Sequence, residues 1–384
     1  MNGYLEFIHT HPFFGDPIFL TYPDNVPTKE DLLRGNDWKK NIRYPLIEKL
    51  QPKVDFLYQE IEGFETKKLN SLETGWLKEE YKKRFSQFKD IIWLIENFDN
   101  GDEAKKFAII TDYFGIDLEY CEKVLKNYNQ IENFFEAIPT QKIPVEEKIF
   151  NATEMKFYFE KSLAFLGLEK YWEVEISDSV MSVVHGDFTE HGGKIFIHPS
   201  HKVDTVRLLA LIIHEIDGHT RQFTYTGNEE IFSAGMRMSH SEEITEGMAI
   251  LLEYAFYKYV FGVRRYADTF SHFKKLLALA TKKTAIGPYI QNYKGSFIFR
   301  SFRGFYDIEN YMNPKDLVYK QGVARVIEIF EKFGQNGLDI IYSGCVNKEY
   351  VEQNAILTKQ KESIIPILEK SSAFHILHTY SLKK

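Results

Sequence analysis

The sequence predicts an α+β fold, mostly helical, from three observations. Long amphipathic stretches of helical period fill the first part of the chain, a short segment of alternating β-like character follows at about 168–200, and a strongly apolar helical run begins near Val203. The 384 residues exceed one minimal domain. Pro139, Pro144 and the polar stretch around them interrupt the helical pattern. That break divides the chain into a helical N-terminal extension, residues 1–150, and a second part, residues 151–384, that carries the chemistry.

Composition bounds the function. With 48 basic against 55 acidic residues the net charge is −7, so no overall basic field exists to hold nucleic acid or an anionic membrane surface. The 32 phenylalanines and 23 tyrosines supply ample core and exclude general disorder. Two cysteines, Cys121 and Cys345, cannot build a disulfide framework or a cysteine-rich metal module. A bound metal must therefore be held by His and carboxylate, which turns attention to the twelve histidines. The first twenty residues lack a basic leader pattern and contain Pro12 and Pro17, and no apolar run is long enough to span a bilayer. A cytoplasmic protein is the expectation.

Residues 1 to about 40 read as loop. After Pro52, Val54, Leu57, Ile61 and Phe64 share one helical face, and the next helix repeats the pattern with Leu77, Tyr81, Phe85, Phe88 and Ile92. Further helices are expected at 102–114, 117–137 and 153–166. Gly192 and Gly193 read as a turn leading into a strand at Lys194–His198. The basic run near Lys258, Arg264 and Arg265 reads as a solvated helix end.

The sharpest feature is LLALIIHEIDGH, an apolar helix that ends in His214, Glu215 and His219. Histidines at i and i+4 lie about 40° apart on an α-helix and can share one ion, whereas i and i+5 lie about 140° apart. Two local remedies exist: a π-bulge that widens the turn, or a helix that stops at Gly218 so that His219 swings back. A third ligand, leaving a position open for water, should be His, Asp or Glu. The helix in SHSEEITEGMAILLEYAF offers Glu246, with Ser239 and Glu242 spaced as a capping box ahead of it. Asp217 and Glu243 are candidates to hold the second nitrogen of a ligating imidazole.

HEIDGHTR followed by TEGMA resembles the motif pair of the tyrosine carboxypeptidase-like metalloproteins, H-E-x-x-x-H with a trailing Arg and then an E-G-L-A-type motif. That family includes the tubulin tyrosine carboxypeptidases and bacterial members named for a QEGLA motif. Thr245 stands in place of the Gln and Met248 in place of the Leu, while Glu246, Gly247 and Ala249 match. The downstream stretch FRSFRG and PKDLVYKQG looks like a third block, with Arg300, Arg303, Lys315, Asp316, Tyr319 and Gly322.

The resemblance implies a zincin-like core with a small twisted sheet, Lys194–His198 beside the cleft, a helix over 203–219 beneath it and Glu246 on a helix over 240–258. It implies Zn2+ held by His214, His219 and Glu246, with Glu215 as the catalytic glutamate that takes a proton from the attacking water. A carboxypeptidase also needs a group for the terminal carboxylate, and Arg221, Arg300 and Arg303 are the candidates, with Tyr319 as a possible oxyanion donor. The expected substrate is a peptide or protein C-terminus, with Tyr or another aromatic residue as the inherited preference. Neither nucleic acid nor a membrane is an expected partner. The competing expectations are a regulatory or binding protein with a structural or vestigial metal site, and a metal-dependent hydrolase of a non-peptide amide.

Overall fold

A computed structural model describes residues 43–71, 75–99, 101–178, 184–189, 192–224, 238–282, 301, 303–305, 310–358, 362–380 and 382. The loop expected over the first forty residues and Arg300 lie outside them. In chain order the elements begin with α1 (Pro45–Leu50), α2 (Val54–Ser71), α3 (Trp76–Glu96), α4 (Glu103–Tyr113), α5 (Leu118–Lys126) and α6 (Tyr128–Glu136). They continue with β1 (Ile149–Phe150), α7 (Ala152–Leu166), β2 (Trp172–Ile176), β3 (Val184–Thr189), β4 (Gly192–Ile197) and β5 (Val203–Asp204). There follow α8 (Thr205–Ile212), a π-helix (Ile213–Thr220), α9 (Ser241–Phe256), α10 (Phe270–Ala280) and α11 (Leu317–Ile341). The last are α12 (Lys348–Asn354), α13 (Ile365–Glu369) and α14 (Ser372–Thr379). Helix dominates and the sheets are small, which is a mostly helical α+β architecture.

Two compact units interleave along the chain. One comprises residues up to Leu125 with Arg237–His240 and Ser271–Lys320, and the other Lys126–Met236 with Ser241–Phe270 and Gln321–Lys384. The expected boundary at residue 150 falls inside the second unit.

The first unit is helical. Val54, Leu57 and Ile61 of α2 are buried, as are Tyr81, Phe85, Phe88 and Ile92 of α3, so the aromatic stripes read from the sequence are core. The stripes end at their rims, where Phe64 and Leu77 are only half-buried. Asp102 caps α4 by accepting from the Ala104 and Lys105 N–H groups. Ser239 was expected to open the next helix. It donates its N–H and hydroxyl to Glu80 Oε1 at 2.5 and 2.6 Å, and the following helix starts only at Ser241.

In the second unit β2 and β4 run parallel, and β3 pairs antiparallel with β4, giving the order β2-β4-β3. Gly192 and Gly193 belong to β4 itself, paired with Thr189 and Phe188, so they are ladder residues and not the turn expected of them. Gly192 is required there: at φ 147° an added Cβ would lie 1.8 Å from the Tyr171 carbonyl oxygen. A single helix over 117–137 was expected, but the chain breaks at Asn127 into α5 and α6. Asn151 and Glu154 form a reciprocal capping box at the start of α7, and Gly167 in the left-handed conformation ends that helix. Around β5 the chain pairs antiparallel with β1, and Asp204 then caps α8 by accepting from the Arg207 N–H at 2.7 Å. In the basic run, Lys258 and Arg264 both pair with Glu136. Among the described residues no helix is long and apolar enough to cross a membrane.

Candidate metal centre

Leu208, Leu209, Ala210, Leu211, Ile212 and Ile213 are all buried, which fixes the helix that delivers the polar residues. At Ile213 the hydrogen bonding changes from α to π and stays so to Thr220. Of the two remedies that the i, i+5 spacing admits, the wider turn is present, and the chain continues helical through Arg221–Phe223 instead of stopping at Gly218. The Thr220 hydroxyl donates to the Glu215 carbonyl five residues back at 2.7 Å, and Gln222 Nε2 donates to the Gly218 carbonyl at 2.8 Å. These bonds occupy carbonyls that a change of helical register exposes.

Glu246 comes from α9, which packs directly on the π-helix. Nearly every residue of α9 is buried, and the two half-open positions, Glu246 and Ile250, lie one turn apart on one face. Glu246 is therefore not a solvated surface carboxylate. It occupies the opening of an otherwise enclosed helix. Gly218 and Gly247 allow the close approach of backbones here: a Cβ on Gly218 would meet Ala249, and a Cβ on Gly247 would meet the Gly322 backbone of α11. The Gly and Ala of the EGMA stretch thus serve packing, and its Glu faces the site.

One ligand atom from each of His214, His219 and Glu246 lies within 4.8 Å of the others, the only such group of three or more among the described residues. The imidazole rings stand 4.9 Å apart and nearly perpendicular. His219 Nε2 lies 3.5 Å from Glu246 Oε2. That is long for a hydrogen bond. It matches the roughly 3.4 Å between two ligands on one tetrahedral ion with bonds of about 2.0–2.1 Å. His219 Nδ1 is buried without a hydrogen-bond partner. All three side chains keep some exposure, 16, 17 and 13% for His214, His219 and Glu246. The residues fit a cation.

His214 Nδ1 sits 3.1 Å from Glu253 Oε2, which leaves Nε2 for a ligand. Burial alone would depress the imidazole pKa. The Glu253 hydrogen bond and the fields of Glu215, Glu253 and Glu246 outweigh it and push the value up to about 9. Burial likewise opposes ionisation of Glu253, but the bond to His214, with Arg207 nearby, holds that carboxyl below its ordinary range. The pocket therefore concentrates negative charge around one ring and calls for a positive partner.

The imidazole support differs from the sequence expectation. Asp217 points away and binds Ser372, and Glu243 accepts from Gln321 at 2.8 Å and Arg325 at 3.0 Å. The support comes instead from Glu253, which follows Glu246 by two helical turns on the same face. Among the substrate candidates, the Arg221 guanidinium lies over the Tyr342 ring at 4.2 Å. Arg303, Lys315 and Tyr319 belong to the first compact unit, Arg303 and Lys315 being buried. Compared with models of protein families and with curated proteins, the chain matches none.

Proposed function

We propose that this chain is a zinc-dependent metallopeptidase with a zincin-like core, of the tyrosine carboxypeptidase-like type, acting on peptide or protein C-termini. The observation that carries the reading is the convergence of His214, His219 and Glu246 from two packed helices, with Glu215 beside the first of them. Two imidazoles and one carboxylate are a donor set suited to zinc, which when bound supplies Lewis acidity and lowers the pKa of a coordinated water.

His214, held by Glu253, and His219, held by the π-turn, present their nitrogens to the common point, and Glu246 completes the set from α9. Glu215 follows His214 directly and is half-open. It accepts the proton of the attacking water and returns it to the leaving amine. A structural site has no use for such a carboxylate beside its ligand. Recognition of a terminal carboxylate calls for a guanidinium. Within the compact unit that carries the site, the candidate is Arg221, whose guanidinium lies over the Tyr342 ring.

The test is a peptide library incubated with the zinc-loaded protein and followed by mass spectrometry. Wild type trims residues from the C-terminus, and Glu215→Gln retains zinc but loses about 10²–10⁴-fold in rate. Equal trimming by the variant removes Glu215 from the mechanism, and cleavage confined to internal or non-peptide amide bonds replaces the carboxypeptidase assignment.

A further inference from the structure

Asp217 lies between the two histidines in sequence, is 1% exposed, and has no part in the chemistry above. Its carboxylate accepts from the Ser372 N–H at 2.9 and 3.1 Å, from the Ser372 hydroxyl at 2.7 Å and from the Ala373 N–H at 3.4 Å. Ser372 and Ala373 open α14, a helix already capped by its own Ser371, which accepts from the Phe374 N–H at 3.2 Å. Asp217 is thus an additional anion at that helix start, delivered from 155 residues away. Burial raises the pKa of Asp217 against the opposing pull of these bonds and of Arg221. A buried carboxylate is costly to maintain.

The geometry gives the carboxylate a use. Residues two apart on a helix point in roughly opposite directions, about 200° on an α-helix. Pinning Asp217 on the α14 side therefore turns His219 to the other side, where Glu246 waits. His214 is pinned separately by Glu253. Both fixed points lie in the π segment Ile213–Thr220, whose turns each take in about one residue more than an α-helix accepts. Relaxation to α-helical bonding would alter the angle between His214 and every later residue, and it cannot proceed while Asp217 stays on Ser372.

We propose that Asp217 is a positioning residue: its clasp on the start of α14 holds the π register that brings His219 to His214 and Glu246. The inference rests on the metal-site part of the proposed function and is independent of the peptidase part. It makes the C-terminal helix a component of the metal centre.

The experiment compares Asp217→Asn, Ser372→Ala and Ser371→Ala in the full chain, reading Zn2+ affinity by competition with a chromophoric chelator and amide hydrogen exchange of residues 213–220 in the metal-free protein. Asp217→Asn is expected to weaken Zn2+ binding roughly 10- to 100-fold, as loss of a group that orients a ligand does, and to speed exchange in the π-helix. Ser372→Ala gives a smaller loss in the same direction. Ser371→Ala removes a cap from the same helix without touching Asp217, so it lowers thermal stability but leaves affinity within about twofold. Unchanged affinity and exchange in Asp217→Asn and Ser372→Ala overturn the proposal, as does an equal affinity loss in Ser371→Ala. Should Asp217→Asn fail to fold, the two serine variants decide. Should wild type bind no Zn2+, the metal assignment falls and the exchange data alone judge the clasp.

Discussion

Gly218 of the π-helix and Ala249 of α9 approach so closely that a Cβ on the glycine would lie 2.7 Å from the Ala249 Cβ. No rotamer relieves that contact, because both atoms are fixed by their backbones. Gly218→Ala is expected to cost about 1–3 kcal/mol, the usual range for overpacking, and to weaken metal binding by separating Glu246 from the histidines. Thermal denaturation and metal titration check it, and Ala249→Gly in the same chain should restore part of both.

The same helix also meets α11 backbone to backbone at a pair of glycines. A Cβ on Gly247 would lie 2.3 Å from the Gly322 carbonyl carbon, and one on Gly322 would lie 2.1 Å from the Glu243 carbonyl oxygen. Since no side chain can yield, Gly247→Ala and Gly322→Ala should each cost more than Gly218→Ala, beyond about 3 kcal/mol. Urea unfolding, or failure to obtain soluble protein, is the readout. Similar stability to Gly218→Ala would show that the helices can part at low cost.

Protonation of His214 competes with metal. Its pKa in the metal-free fold is raised to about 9, against about 6.5 in an unfolded chain. The stabilisation from this imidazolium is fully present below about pH 6.5, declines as pH rises, and is gone above about 9. Metal-free protein should therefore lose thermal stability across that window, and Zn2+ loading near pH 7.5 should release about one proton. Calorimetry in buffers of different ionisation enthalpy measures the release. Loading without proton release would show that His214 is neutral before the metal arrives.

Glu253 accounts for much of that shift and also fixes the ring. Glu253→Gln keeps an acceptor for the Nδ1–H but removes the charge, so Zn2+ affinity should fall about 10- to 100-fold. The metal-free His214 pKa, followed by NMR, should fall with it. Wild-type affinity in the variant would remove Glu253 from the support of the site.

Legibility followed the range of the interaction. Tyr81, Phe85 and Phe88 could be read as core because helical period is a local signal, and the i, i+5 histidines already demanded a wider turn or a helix end. Glu246 was within reach for the same reason, standing in a helix whose core face, Ile244, Met248, Leu251 and Leu252, is apolar. Its neighbour Glu253 was equally readable from a two-turn spacing, but a second acid on a helix looks like solvated charge until its burial is known. Asp217 was not readable. Its partner Ser372 lies at the far end of the chain, and nothing local distinguishes an inward-facing acid beside a ligand from one that turns to another helix. The glycines of TEGMA and YKQG stood out as letters of a pattern, while their reason, Gly247 against Gly322, exists only in the packed structure.

The central claim is that His214, His219 and Glu246 hold one metal ion, and metal content measured by mass spectrometry on purified wild type, His219→Ala and Glu246→Ala tests it most directly. The account predicts stoichiometric zinc in wild type and loss of it in both variants, each remaining folded by circular dichroism. Absence of metal in wild type after zinc loading, or zinc retained in full by both folded variants, would contradict it.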